Sequence, residues 1–160
     1  MITGVMSDTR PLENDLLFLI NDVAHLMRRH ADRRARARGM TRAQWAVLIR
    51  LQRQPGMTQN ELAHQTDVEP ITVGRLIDRL EASGFVVRKA DAKDRRVWRL
   101  WLTARSAPVL AEIQLFRTAL HAEMSDGIDA ATIAASTRGL KSIRMNLSAT
   151  KSARKRSVAR

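Results

Sequence analysis

The amino-acid sequence predicts a mostly α-helical fold carrying one small β-hairpin. Two observations lead there. Apolar residues recur at three- and four-residue steps along most of the chain, the period of a helix with one buried face. The exception is the stretch 85–102, where FVVRK and VWRLWL, rich in β-branched and aromatic residues, flank the polar turn ADAKDRR. A third observation concerns partners. With 28 Lys and Arg against 16 Asp and Glu, the chain carries a formal charge of +12, which suits a polyanion.

The elements follow in order. Pro11 suits a first helical position, and Leu12, Leu16, Ile20, Val23 and Met27 give the first helix its apolar stripe. That helix runs into RRHADRRARARG, with Gly39 as its stop. Thr41 and Gln44 form a capping box for a second helix, whose inner face holds Trp45, Leu48 and Ile49 and which ends at Pro55-Gly56. Thr58 and Glu61 form a second capping box for a short third helix containing Leu62 and Ala63. After the link QTDVE, Pro70 opens a fourth helix with Val73, Leu76, Ile77 and Leu80 inside and Gly84 as its left-handed close.

The opposite face of the fourth helix presents Thr72, Arg75 and Arg79. Two short helices joined by a tight turn, the second exposing arginines and followed by a hairpin, form a winged helix-turn-helix pattern. In the hairpin, alternation places Trp98, Leu100 and Leu102 on one face and Arg99 and Trp101 on the other. Thr103 is expected to cap a fifth helix with Val109, Ile113, Phe116 and Leu120 at seam spacing. Asp126-Gly127 breaks it, and a last helix carries Ile133, Leu140, Ile143 and Leu147 before the basic tail KSARKRSVAR. That tail supplies five of the positive charges, so the rest of the chain is basic without it.

Bulk properties exclude several classes. A chain of 160 residues reads as one domain and buries roughly two-thirds of its unfolded surface. With no cysteine, disulfides, zinc–thiolate sites and thiol redox sensing are excluded. The N-terminus lacks a charged region followed by an apolar run, and no apolar stretch approaches the roughly 20 residues of a membrane span, so a cytoplasmic protein is expected. There is no nucleophile elbow, phosphate-binding Gly-rich loop or same-face i, i+4 pair among His25, His30, His64 and His121. No enzyme activity, metal or cofactor is expected.

The segments TRAQWAVLIRL, ELA followed by VEPITVGRLIDRLEASGFVVR, and DAKDRRVWRLWLT, in this order and spacing, resemble the multiple-antibiotic-resistance regulator (MarR) family of winged helix-turn-helix transcription factors. The resemblance extends from about Leu12 to Leu147. It implies a homodimer built from N- and C-terminal dimerisation helices, here residues 12–38 and 104–148, around a DNA-binding lobe at 41–103. The tail at 149–160 is expected to be disordered and to add non-specific affinity. Independently, the long terminal helices have more apolar stripe than so small a lobe can cover.

On this reading the fourth helix enters the major groove of double-stranded DNA, started by Pro70. Thr72 offers a methyl or hydroxyl, Arg75 bonds guanine O6 and N7, and Arg79 holds a phosphate. The resemblance identifies Asp94-Arg95-Arg96 as the wing motif, with Arg96 in the minor groove and Asp94 bracing the wing through a salt bridge. Lys93 and Arg95 then neutralise phosphates. Gln59 and Asn60, in the first turn of the third helix, serve either as phosphate donors or as plain capping residues.

The resemblance further implies a small aromatic or phenolic anion as effector, in a crevice lined by His25, Arg29 and Trp45. There Arg29 would pair a carboxylate and Trp45 stack a ring; a core Trp45 and a boundary His25 are the simpler readings. The expected function is a homodimeric, sequence-specific regulator, a repressor relieved by a ligand, acting on an inverted-repeat operator. The alternative is a polybasic winged-helix adaptor that binds a protein or an anionic membrane, disfavoured because the stripe of the first helix is of the packing kind.

Overall fold

The computed structural model describes residues 11–66 and 68–157, with backbone alone over 150–157. Six α-helices are present among the described residues: α1 Leu16–Arg36, α2 Arg42–Arg53, α3 Gln59–Thr66, α4 Pro70–Ala82, α5 Ala107–Ser125 and α6 Ala130–Ser157. Three strands, β1 Met57–Thr58, β2 Val86–Ala90 and β3 Trp98–Leu102, form an antiparallel sheet in the order β1-β3-β2. The predicted mostly helical, winged helix-turn-helix architecture is the observed one.

Local chemistry sets the boundaries. The capping boxes form as expected: Gln44 N–H donates to Thr41 Oγ1 at 3.2 Å, and Thr41 N–H donates to Gln44 Oε1 at 2.8 Å. At α3, Thr58 N–H donates to Glu61 Oε2 at 2.7 Å and Glu61 N–H to Thr58 Oγ1 at 3.2 Å. Pro70 occupies the first turn of α4. Gly84 closes that helix at φ 75°, with Phe85 N–H donating to the Leu80 carbonyl at 2.8 Å.

Two boundaries differ from the sequence reading. Pro11 precedes a short 3-10 turn, Leu12–Asn14, and α1 itself starts after Asp15, whose carboxylate accepts from Phe18 N–H at 2.8 Å. A side-chain cap satisfies an orphan donor, which a proline cannot do. Thr103 does not cap α5; a 3-10 turn, Ala104–Ser106, intervenes, and Thr103 Oγ1 donates to the Gly84 carbonyl at 2.6 Å. The hydroxyl thus joins the end of β3 to the turn before β2.

Strand β1 was not foreseen. It has two residues, pairing Met57 with Leu100 and Thr58 with Arg99. Strand β2 pairs Val86 with Leu102 and Arg88 with Leu100. The sheet delivers Met57, Val86 and Leu100 to a core shared with Leu48 and Leu51 of α2, Leu62 of α3, and Val73, Ile77 and Leu80 of α4, all buried.

The chain divides into two compact units, the first ending at Gln114 and the second starting at Leu115. The first holds the sheet and core. In the second, Asp129 caps α6 by accepting from Thr132 N–H at 2.9 Å. Helix α6 continues to Ser157, into the segment expected to be a disordered tail; residues 158–160 lie outside the described residues. No helix among the described residues is long and apolar enough to cross a membrane.

Candidate nucleic-acid interface

Helix α4 separates its residues cleanly by face. Val73, Ile77 and Leu80 are buried, whereas Pro70, Thr72, Arg75 and Arg79 are exposed. The exposed set recurs at helical steps from the N-terminal turn, the end of a recognition helix that meets base edges. Ile71, not singled out from the sequence, is 68% exposed next to Thr72. Its signal was present: it falls off the Val73–Ile77–Leu80 stripe.

Helix α3 packs tightly against the start of α4. Gln59 Nε2 donates to the Pro70 carbonyl at 3.1 Å, so one amide hydrogen ties two helices together. Asn60 is exposed beside it. From the other side, Arg88 of β2 bonds two acids of α4: its Nη2 donates to Asp78 Oδ1 at 2.6 Å and its Nη1 to Glu81 Oε2. Arg88 N–H also donates to Glu81 Oε1 at 2.9 Å. The helix is thereby locked to the sheet, a role the sequence did not reveal because the partners lie seven and ten residues away.

The wing tip is a short acid–base network. Asp94 receives Arg96 in two parallel bonds, Nε to Oδ1 at 3.0 Å and Nη2 to Oδ2 at 3.1 Å, and also Arg96 N–H at 3.0 Å. The Arg96 side chain is nonetheless 91% exposed, so the guanidinium is aimed while remaining accessible. Its side-chain bonds, then its backbone N–H, hold the Asp94 carboxyl below the usual range. Lys93 and Arg95 are exposed alongside.

Asp91 carries the loop. One of its oxygens accepts Lys93 N–H at 2.7 Å and Asp94 N–H at 3.1 Å, and the other accepts Arg99 Nε. The Arg99 bond first, and the two backbone donors after it, lower the Asp91 pKa to about 2. Arg99 Nη1 donates in turn to the Gly56 carbonyl at 2.9 Å. Between the wing and the start of α3 lies an open groove of about 680 Å³ that Gln59, Asn60, Arg88, Arg96 and Trp98 help to line. Trp98 is 54% exposed.

The three residues expected to hold an effector differ in their surroundings. His25 and Arg29 lie on the exposed surface of α1. Arg29 borders a cleft of about 290 Å³ with Asp32, Arg33 and Arg36. Trp45, on α2, is 3% exposed and belongs to the core of the first unit.

An arginine-bearing helix seated on a small sheet whose hairpin holds a second, braced arginine defines the winged helix-turn-helix class. The MarR family model matches residues 40–98, the segment from the end of the α1–α2 turn to the start of β3. The transcriptional regulator PA3341 is 34% identical over 81% of this chain and 96% of its own, at TM-score 0.73. Wild-type MarR from E. coli in its apo form is 27% identical over 81% and 96%, at 0.70. The MepR–DNA complex from S. aureus, at 21% identity over 84% and 98% and TM-score 0.73, shares the fold. The chain belongs to the MarR family.

Proposed function

We propose that the protein is a homodimeric transcriptional regulator that binds a specific double-stranded DNA operator, acting as a repressor relieved by a small molecule. The observation that carries this reading is the pairing of two prongs in one lobe. Helix α4 presents Thr72, Arg75 and Arg79 outward, and Arg96 stands exposed on a hairpin braced by Asp94. Arg75 bonds a guanine in the major groove, Arg79, Lys93 and Arg95 neutralise phosphates, and Arg96 enters the adjoining minor groove. Asn60, and the second amide hydrogen of Gln59, donate to the strand between the two grooves. A fold neighbour, MepR, is seen in complex with DNA.

The homodimer is supported by apolar side chains left uncovered on the terminal helices. In the first unit Leu16 and Leu17 are 61% and 70% exposed; in the second, Met145 and Leu147 are 68% and 69% exposed. Such surfaces on long helices call for a partner helix, and a second copy supplies the same stripe by two-fold symmetry. The effector is a small aromatic or phenolic anion, with Arg29 as its counter-cation and His25 one turn away on α1. The site of action is the cytoplasm.

Selection of duplexes from a random pool tests the function. An inverted repeat with half-site centres about one helical turn apart is the expected product. Arg75→Ala and Arg96→Ala should each weaken binding to it roughly tenfold or more without altering the dimer. Binding should also fall by about three decades between roughly 50 and 200 mM salt. A monomer, or equal affinity for all duplexes and for anionic vesicles, would instead favour a polybasic adaptor.

A further inference from the structure

The minor-groove arginine is held by a chain of contacts that begins outside the wing. The Gly56 carbonyl, in the turn between α2 and β1, accepts Arg99 Nη1 at 2.9 Å. Arg99 Nε donates to Asp91, and Asp91 accepts the backbone N–H groups of Lys93 and Asp94. Asp94 then receives the Arg96 guanidinium in its two-bond grip. Each link is a charge-assisted hydrogen bond or a bond from a forked donor, the kinds that fix direction as well as distance.

Arg99 itself is suited to hold rather than to bind. Its side chain is 38% exposed and that of Asp91 is 14% exposed, whereas Arg96 stands 91% exposed. Two of its nitrogens are already committed, one to a carboxylate and one to a carbonyl 43 residues away in sequence. A lysine at this position has no fork and reaches one of the two partners at a time. Without Arg99 the turn from Asp91 to Arg96 would be fastened to the body of the lobe only through the strand ladder.

We propose that Arg99 is a positioning residue for DNA recognition: through Asp91 it fixes the backbone that aims Arg96, and it tunes the contribution of the wing without touching the duplex. This rests on the minor-groove role given to Arg96 above. The wing is then an articulated part of the lobe, its prong set from the α2–β1 turn.

The test is a double-mutant cycle on the selected operator, using the full chain. Arg99→Leu should weaken binding roughly tenfold, and Asp91→Asn by a similar factor. In an Arg96→Ala background, Arg99→Leu should cost nothing more, because the group it aims is gone. Arg99→Lys should recover part of the loss. A further fall of the same size in the Arg96→Ala background would overturn the proposal, since Arg99 would then be acting on the whole lobe or on a phosphate. Amide hydrogen exchange gives a second readout that needs no DNA. In Arg99→Leu the Lys93 and Asp94 amides should exchange at least several-fold faster while those of α2 keep their wild-type rates; unchanged Lys93 and Asp94 rates, or faster exchange across α2 as well, would overturn the proposal. Should the wild-type protein select no duplex at all, the functional reading fails, and the exchange rates alone decide whether Arg99 fixes the turn.

Discussion

Gln59 and Gly74 meet where α3 crosses α4: a methyl group at position 74 would stand 2.9 Å from Gln59 Nε2. The amide is engaged there, donating to the Pro70 carbonyl at 3.1 Å. Glycine costs the helix roughly 0.5–1 kcal/mol relative to alanine there, and a side-chain carbon fits only if the amide moves aside. Gly74→Ala therefore has two opposed effects on stability. It gains helix propensity and loses one hydrogen bond, each about 1 kcal/mol. The melting temperature should move by only about 4 °C or less. DNA binding should still weaken, since Gln59 must swing away and release the N-terminal turn that carries Thr72. Parallel thermal melts and binding titrations check both halves.

Glu112 of α5 is buried and receives two arginines, Arg34 Nε of α1 at 3.1 Å and Arg38 Nε of the turn that follows it. Removing the carboxylate leaves the two guanidinium groups without their acceptor and opens a void. Glu112→Ala should destabilise the protein by about 1–3 kcal/mol. Glu112→Met, which fills the space with apolar atoms, should cost less, as buried pairs replaced by packed side chains often do. Denaturant midpoints of the two variants give the comparison; equal losses would mean that packing is immaterial there.

Gly56 sits at φ 76° with the Trp101 ring 3.0 Å from where a side-chain carbon would begin. Any other residue must adopt a disfavoured backbone conformation and displace the indole. Gly56→Ala should cost roughly 1–3 kcal/mol. Tryptophan fluorescence should report the displaced ring before the global transition.

The Asp91 carboxylate also predicts a pH response. Its pKa is lowered from an ordinary 3.8 to about 2, chiefly by the Arg99 bond. A depressed carboxylate contributes stability that is complete above the unfolded value and is lost as pH falls through the folded one. The wing should therefore remain braced at neutral pH and loosen only between about 4 and about 2. Carbon-detected titration of the Asp91 carboxyl should give a midpoint near about 2 in the wild type, returning toward 3.8 in Arg99→Leu.

The parts of the fold legible in the sequence were those with local causes. The capping boxes at Thr41 and Thr58 declare themselves within four residues, as do Pro70 and Gly84 at the two ends of α4. The outward set Thr72, Arg75 and Arg79 followed from helical period alone. Strand β1 was not legible, because two residues carry no periodicity and its partner Leu100 is 43 positions away. Thr103 was misread for a related reason. A threonine before a helix is an ordinary cap, and only the proximity of the Gly84 carbonyl diverts its hydroxyl. A bracing salt bridge from Asp94 was expected through family resemblance, without Arg96 as its named partner, whereas the Asp91–Arg99 link depends on strand register and had no sequence signal.

The order β1-β3-β2 leaves the outer side of β2 as the long rim of the sheet. Rims of this kind invite a strand from another molecule, the usual route to aggregates. Here Glu81 of α4 accepts the outward Arg88 N–H, and Arg88 and Lys89 place charge along the rim. Sheet-to-sheet stacking is thus opposed by the same residues that seat α4 on the sheet.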